Sequence, residues 1–389
     1  MFQVKNFRRS TLFILYIIGF FFALRSALPS YISSSFLGEI SRESLVGIIY
    51  TVTSILTIIA FVFMPSILRR IGNYRTILCL GAINTLALLG LSFFENIYVL
   101  LLLFMVSYVS TTLIAFCLDI FIERYSSDVE TGRIRSIYLT SINLAWLISP
   151  FISGYLLENG DFWRVFISST AVMIPILLLI AYNLKDFQDT EYHSFNIINT
   201  LKEVSKDKNI FSIMSVNFLL QFFYSWMVIY TPIYLHNYIG LNWSEIGIVF
   251  TIMLVPFVII QLPLGWLADL KMGEKELLNL GFVIMAVSTS VMTYITGKNL
   301  LVWGLILFAT RIGASMIEIM AETYFFKKIN TKNADIISAY RMMVPFAYVL
   351  GPLIATVFIC FFNIKYIFLA LGLIMFLGLR YGRAIEDTK

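Results

Sequence analysis

The chain has 389 residues, 59% of them hydrophobic and only 13% charged, with a net charge of +5. Soluble domains carry about 25% charged residues, so a chain this apolar, with a mean hydropathy of +0.85, has too little polar surface to face water. Its basic residues do not gather into one patch, which argues against nucleic acid as a partner.

A helix that crosses a bilayer needs about 20 mainly apolar residues. Such stretches are predicted over roughly 11–37, 45–67, 74–95, 97–122, 134–157, 163–184, 211–238, 244–267, 276–296, 299–325, 336–361 and 364–383. Helices are required because lipid cannot satisfy loose backbone groups; a β-barrel would show shorter alternating segments. The expected fold is an all-α membrane protein with 12 transmembrane helices. The first span follows a short basic stretch, Lys5 to Arg9, and is too long for a signal-peptide core, so it reads as retained. A polar linker, KDFQDTEYHSFNIINTLKEVSKDKN (185–209), divides the spans into six and six. Its tail from Ser194 to Lys208 has Phe195, Ile198, Leu201 and Val204 on one side, as an amphipathic surface helix would; His193 is read as solvated. The expected domains are 1–184, a linker at 185–210, and 211–389. With the N-terminus inside, only Arg42, Arg164, Lys298 and Lys365 fall at outer loops, so both termini and the linker are expected in the cytoplasm. Cys79, Cys117 and Cys360 are scattered in apolar segments and suggest neither a disulfide nor a metal site.

The two halves repeat at an offset of about 200 residues. LPSYI (28–32) matches TPIYL (231–235), and LVGIIY (45–50) matches EIGIVF (245–250). LDIFIERY (118–125) matches IEIMAETY (317–324), and SIYLTSINLAWLISP (136–150) parallels SAYRMMVPFAYVLGP (338–352). Matches in the same order on corresponding spans point to two pseudo-symmetric six-helix bundles, an architecture of transporters.

On these residues the chain resembles the major facilitator superfamily. GWLADLKMGEK (265–275) is similar to that family's cytoplasmic loop motif, a Gly-x-Leu-Ala-Asp core followed by basic residues and Gly, with one extra residue before Gly273. PSILRRIGNYR (65–75) is its weaker counterpart. SPFISG (149–154) and FWRVF (162–166) resemble the family's Gly-Pro-rich fifth helix and the Trp-Arg pair after it. The resemblance spans essentially the whole chain. It implies an alternating-access carrier of a small solute, with a central site between the bundles lined by helices one, four, seven and ten.

A carrier closes one face as the other opens, and charge contacts exchangeable for water suit that task. The resemblance implies that Asp269 approaches the N-terminus of helix five, near Arg133 and Arg135, and that Gly265 lets the backbones come close. In the first half Arg69 stands where the family usually has Asp, so the same contact cannot form. Arg69 and Arg70 then need acidic partners, and Glu318, Glu322 and Asp335 lie on the same side by helix counting. Asp119 with Glu123, and Glu318 with Glu322, are i,i+4 pairs on one helix face. Arg341 completes the expected gate set. The competing reading is solvated turns whose charges only fix topology.

Arg25 and Arg311 each lie about 12 residues into a span, roughly 18 Å into a core about 30 Å thick. Charges there are costly and usually face a cavity or a partner. By the repeat, Asn217, Gln221 and Tyr224 share the face of span seven equivalent to that of Arg25, and Thr112 is the counterpart of Arg311. Asn143, Trp146 and Ser315 are further candidate contacts. All of these could instead hold helices together. Two deep arginines without an obvious acid favour an anionic solute, since guanidinium binds carboxylate or phosphate in a fork; Arg311 could instead reach Glu318, two turns away. No catalytic residue, metal or cofactor is expected: a polytopic membrane enzyme would need convergent acids or histidines, and a scaffold would not need the repeat. Uptake and multidrug or metabolite efflux both stay open. So does a proton as coupling ion, with Asp119 and Glu318 the nearest acids. The expected protein is a monomer in the cell membrane, its partners a small solute and lipid.

Overall fold

The computed structural model describes residues 2–125, 131–189, 200, 202, 204–261, 263–264, 273–328 and 334–386; for 2–10, 125, 131–136, 334 and 335 this means the backbone alone. Every regular element among them is helical. The first half runs α1 (Phe2–Ser30), α2 (Ser33–Ile40), α3 (Glu43–Phe93), α4 (Ile97–Tyr125), α5 (Thr131–Leu156) and α6 (Phe162–Asn183). The second runs α7 (Lys208–Ile233), α8 (Trp243–Ile259), α9 (Gly273–Val291), α10 (Leu300–Lys328), α11 (Ala334–Arg341), α12 (Met343–Phe361), α13 (Ile367–Met375) and α14 (Leu377–Ala384).

Among the described residues ten helical stretches are long and apolar enough to cross a membrane, and α8 is a shorter apolar helix. One of the ten, α3, is 51 residues long and is broken at Gly72, whose φ of 77° is a conformation that glycine adopts at little cost. That break separates the two spans expected at 45–67 and 74–95. The outward faces are apolar: Val52, Ile55, Ile59, Val62 and Phe63 follow helical spacing along α3 and are all exposed. A contiguous apolar face of this kind is at home in lipid, not in water.

Chain contacts divide the molecule into two compact units, one of residues 1–40 and 56–194, the other of 41–55 and 195–389. In the first unit α1 packs against α4, α5 and α6, around a core that includes Leu15, Ile18, Ile114, Phe121, Met173 and Ile176. The chain after α6 stays on this unit. Phe187 stacks edge-on against Phe121, with ring centroids 4.5 Å apart. Asp189 accepts a 2.8 Å bond from the backbone N–H of Asn73, capping the helical segment that resumes after Gly72. The Asn73 side chain is buried and donates to the Cys117 carbonyl of α4 at 3.0 Å.

In the second unit α10 packs against α8 and α9, and α7 against α12 and α14. Gly281 and Gly313 let α9 and α10 touch: a Cβ on Gly313 would lie 2.6 Å from the Gly281 carbonyl, the close approach that small residues permit between membrane helices. Gly273, with φ 76°, begins α9. The next residue, Glu274, is 1% exposed and ion-pairs with Lys327 of α10 at 2.5 Å. The first turns of α3 belong to this unit: Thr51 donates to the Val349 carbonyl at 3.2 Å, and Glu43 accepts from Asn237 and Tyr238. Pro232 lies inside α7, which ends in a wider π-helical turn, Tyr234–Tyr238. His236 in that turn stacks on Trp243 at 4.2 Å and bonds the Leu241 carbonyl at 2.9 Å. The amphipathic stretch expected at 194–208, and His193, lie largely outside the described residues.

Candidate functional site

Among the described residues each unit buries one arginine, and each of the two is 1% exposed. In the first unit Arg25, on α1, sends Nη1 to Thr111 Oγ1 of α4 at 2.9 Å and to Ser26 Oγ at 3.3 Å. Its Nη2 donates to Asn84 Oδ1 of α3. Asn84 is itself oriented: its amide donates to the Ser107 carbonyl at 2.9 Å and to Thr111 Oγ1 at 3.1 Å. Thr111 in turn gives its single proton to the Ser107 carbonyl at 2.7 Å. Its two lone pairs are thus used by Arg25 and Asn84, the full capacity of a hydroxyl. Every acceptor in this set is neutral. Among the described residues no carboxylate pairs with Arg25, so its positive charge is held in place without being cancelled.

In the second unit Arg311, on α10, lies over two rings of α7, 5.1 Å from the Phe223 centroid and 5.5 Å from that of Tyr224. Cation–π contact of this kind stabilises a guanidinium by about 0.5–2 kcal/mol and leaves its charge intact. The Tyr224 hydroxyl donates to Glu318 Oε2 at 2.6 Å. One tyrosine therefore touches a cation with its face and an anion with its tip. Glu318 is half-buried and also takes a side-chain hydrogen bond from Gln261.

The neutral candidates divide by what they already bond. Asn217 donates to the Tyr340 carbonyl at 3.0 Å, and Gln221 donates to Asn217 at 3.4 Å. Thr112 and Ser315 bond to carbonyls of their own helices, Tyr108 and Ile312. Trp146 packs edge-on to Tyr31 at 6.2 Å, and both Trp146 and Asn143 are half-buried. Of the gate candidates, Arg69 and Arg70 are exposed, and Arg69 donates to Ser66 on its own helix at 3.3 Å. Asp119 and Glu322 are half-buried, Glu123 and Arg341 exposed. Gly265 and Asp269 lie outside the described residues, and of Arg133, Arg135 and Asp335 only the helical backbone is described. Among the described residues no group of three or more His, Cys, Asp or Glu could hold a metal ion.

Four residues of this chemistry escape a reading of the sequence alone: Asn84, Ser107, Thr111 and Gln261. Asn84 left a signal, a lone amide inside the apolar stretch GAINTLALLG. Thr111 sits one residue, about 100° of helical rotation, from the Thr112 that the repeat selects.

Residues 11–321 and 232–384 match the family model of the Major Facilitator Superfamily. The chain belongs to that family, and is a multi-span membrane protein and secondary transporter of a small solute, not an enzyme. Its fold is similar to that of a bacterial homolog of the human lysosomal transporter Spinster, solved inward-facing and unoccupied (TM-score 0.70, 13% identity, 98% of this chain and 94% of that one). It is also similar to that of the peptide transporter POT in complex with sulfate (TM-score 0.72, 14% identity, 97% and 96%). No curated protein matches the chain.

Proposed function

We propose that this transporter carries a small organic anion, recognised by Arg25 and Arg311. The observation that carries this reading is a buried guanidinium in each unit with donors to spare: Arg25 Nε, and Arg311 Nε and Nη1, are buried without a hydrogen-bond partner. A membrane helix tolerates a buried cation at a cost of several kcal/mol, and an unsatisfied charged donor adds to it. A carboxylate or phosphate relieves both at once, because its oxygens fit the guanidinium fork. Tyr224, Gln221, Asn217, Asn143, Trp146, Ser315 and Thr112 complete the proposed recognition set. The protein is proposed to cross the cell membrane twelve times as a monomer, with its termini and linker in the cytoplasm. Gly265, Asp269 and the charged residues around them form the proposed inner gate.

A cation exporter needs an acid at depth, and Glu318, about ten residues or roughly 15 Å from the end of α10, is such an acid. Arg311 on the same tyrosine offsets that acid, so the pair offers a cation no net attraction. The test is exchange into proteoliposomes of labelled mono-, di- and tricarboxylates and inorganic phosphate, with ethidium as the cationic control. The expected result is exchange of at least one anion. It falls at least about tenfold in Arg25→Gln and in Arg311→Gln, the loss of a charge-assisted bond worth about 1.5–3 kcal/mol. Undiminished exchange in the doubly substituted protein, or transport of ethidium alone, overturns the reading.

A further inference from the structure

We infer that Phe223 is a positioning residue for Arg311, holding the guanidinium by the face of its ring so that N–H groups stay free for an anionic solute. The inference rests on the reading above, in which Arg311 engages the solute.

The two buried arginines are held in different ways. Arg25 is fixed through its nitrogens, by Thr111, Ser26 and Asn84. A hydrogen bond sets direction as well as distance, and each one uses a donor. Arg311 Nε and Nη1, by contrast, are buried without a hydrogen-bond partner. What lies against the Arg311 guanidinium carbon is two ring faces of α7, Phe223 at 5.1 Å and Tyr224 at 5.5 Å. A ring attracts a cation through its quadrupole, within about 6 Å of the centroid. That attraction acts on the charge as a whole and needs no acceptor atom. An anion instead takes the N–H groups at the guanidinium edge. Ring and anion therefore do not compete for the same donors.

Of the two rings, Phe223 is the nearer and is 0% exposed. Tyr224 is half-buried, gives its hydroxyl to Glu318 at 2.6 Å and packs against Phe257 of α8 at 6.3 Å. Cation–π attraction is strongest where water is excluded, which is the setting of Phe223. The helix that carries this ring is itself pinned. On α7, Asn217 donates to the Tyr340 carbonyl at 3.0 Å, and Trp226 Nε1 donates to the Gly351 carbonyl at 2.7 Å. The ring thus has a set place, and α10 brings Arg311 to it. A side chain of similar bulk without a quadrupole would fill the space and not hold the charge. Arg311 would then spread over several rotamers, and an arriving anion would have to order it at an entropic cost. Phe223 acts on solute affinity through Arg311 and needs no contact with the solute.

Fluorination separates this role from packing, because it drains charge from the ring face with little change of shape. Phe223 is replaced in turn by mono-, di- and trifluorophenylalanine in the full-length protein in nanodiscs. Binding of inorganic sulfate should weaken step by step, by roughly tenfold across the series, while the melting temperature holds. The same series at Phe222, buried beside Trp226 on α7, should leave sulfate binding unchanged. A second readout needs no anion. The Hε resonance of Arg311, identified by its loss in Arg311→Gln, should carry a ring-current shift that collapses in Phe223→Leu. Sulfate affinity that ignores the Phe223 series, or falls only in step with melting temperature, overturns the proposal. So does an Hε resonance that Phe223→Leu does not move. A ring-current shift of the expected kind, in a protein that binds no sulfate, counts against the anion reading and leaves the placement of Arg311 by Phe223 standing.

Discussion

Asn84 is the most informative single position in the first unit, because it holds a charge without cancelling it. Asn84→Ala removes one charge-assisted bond to Arg25, worth about 1.5–3 kcal/mol. It also removes two neutral bonds, to the Ser107 carbonyl and to Thr111 Oγ1, each worth about 0.6 kcal/mol between membrane helices. The expected cost is about 3–4 kcal/mol, dominated by the stranded guanidinium. Arg25→Met removes the charge and keeps the length. On that background Asn84→Ala should cost only the two neutral bonds, about 1.2 kcal/mol, so the double-mutant cycle should return a coupling of about 1.5–3 kcal/mol. The assay is equilibrium unfolding by sodium dodecyl sulfate in mixed micelles, followed by tryptophan fluorescence. Costs that add within about 0.5 kcal/mol would show that Arg25 does not depend on Asn84, and the description of the site as a neutral cradle would fail.

Gly72→Ala should destabilise by at least about 1–2 kcal/mol, since a Cβ is strained at this φ and would also meet the Asp189 carboxylate; in an Asp189→Ala background the penalty measured by thermal melting should shrink. Lys327→Met should cost about 3 kcal/mol, the low end for breaking a buried pair, because Lys327 is 46% exposed while Glu274 is 1% exposed. Adding Glu274→Gln should recover most of that loss, and a melting temperature unchanged in Lys327→Met would refute the pairing. Glu386 is held below the ordinary glutamate range by hydrogen bonds with Lys328 and Asn209. A depressed carboxyl contributes stability that is present above its unfolded value and lost as pH falls through its folded one. The wild type should therefore lose melting temperature on acidification below the ordinary glutamate range, and Glu386→Gln should flatten that limb of the profile.

The helical class, and two arginines set inside apolar runs, were legible in the sequence for one reason. Lipid forces long apolar runs, and a charge inside such a run stands out. Partners were not legible, because apolar patterning locates residues along a helix and says little about rotation around it. Thr111 and Thr112 look alike on paper, yet only Thr111 reaches Arg25. Asn84 meets Arg25 across 59 positions of chain, a pairing no local pattern encodes. Helix counting placed Glu318 by height alone, among the gate acids. The structure adds its bearing, toward Tyr224. Asp189 gave no signal at all, since its role depends on the chain folding back to a turn more than a hundred residues earlier.

Gly72 and Gly273 stand about 200 residues apart with φ of 77° and 76°, and in each case the following side chain is buried and tied to another helix, Asn73 to α4 and Glu274 to α10. The two turns thus share a posture of the backbone and differ in how they are fastened. At the first turn the fastener is an amide on a carbonyl, indifferent to ionic strength. In the other it is an ion pair with one end in solvent, which salt weakens. One torsion angle is common to both turns, yet the two should respond differently to the saltiness of the water beside them.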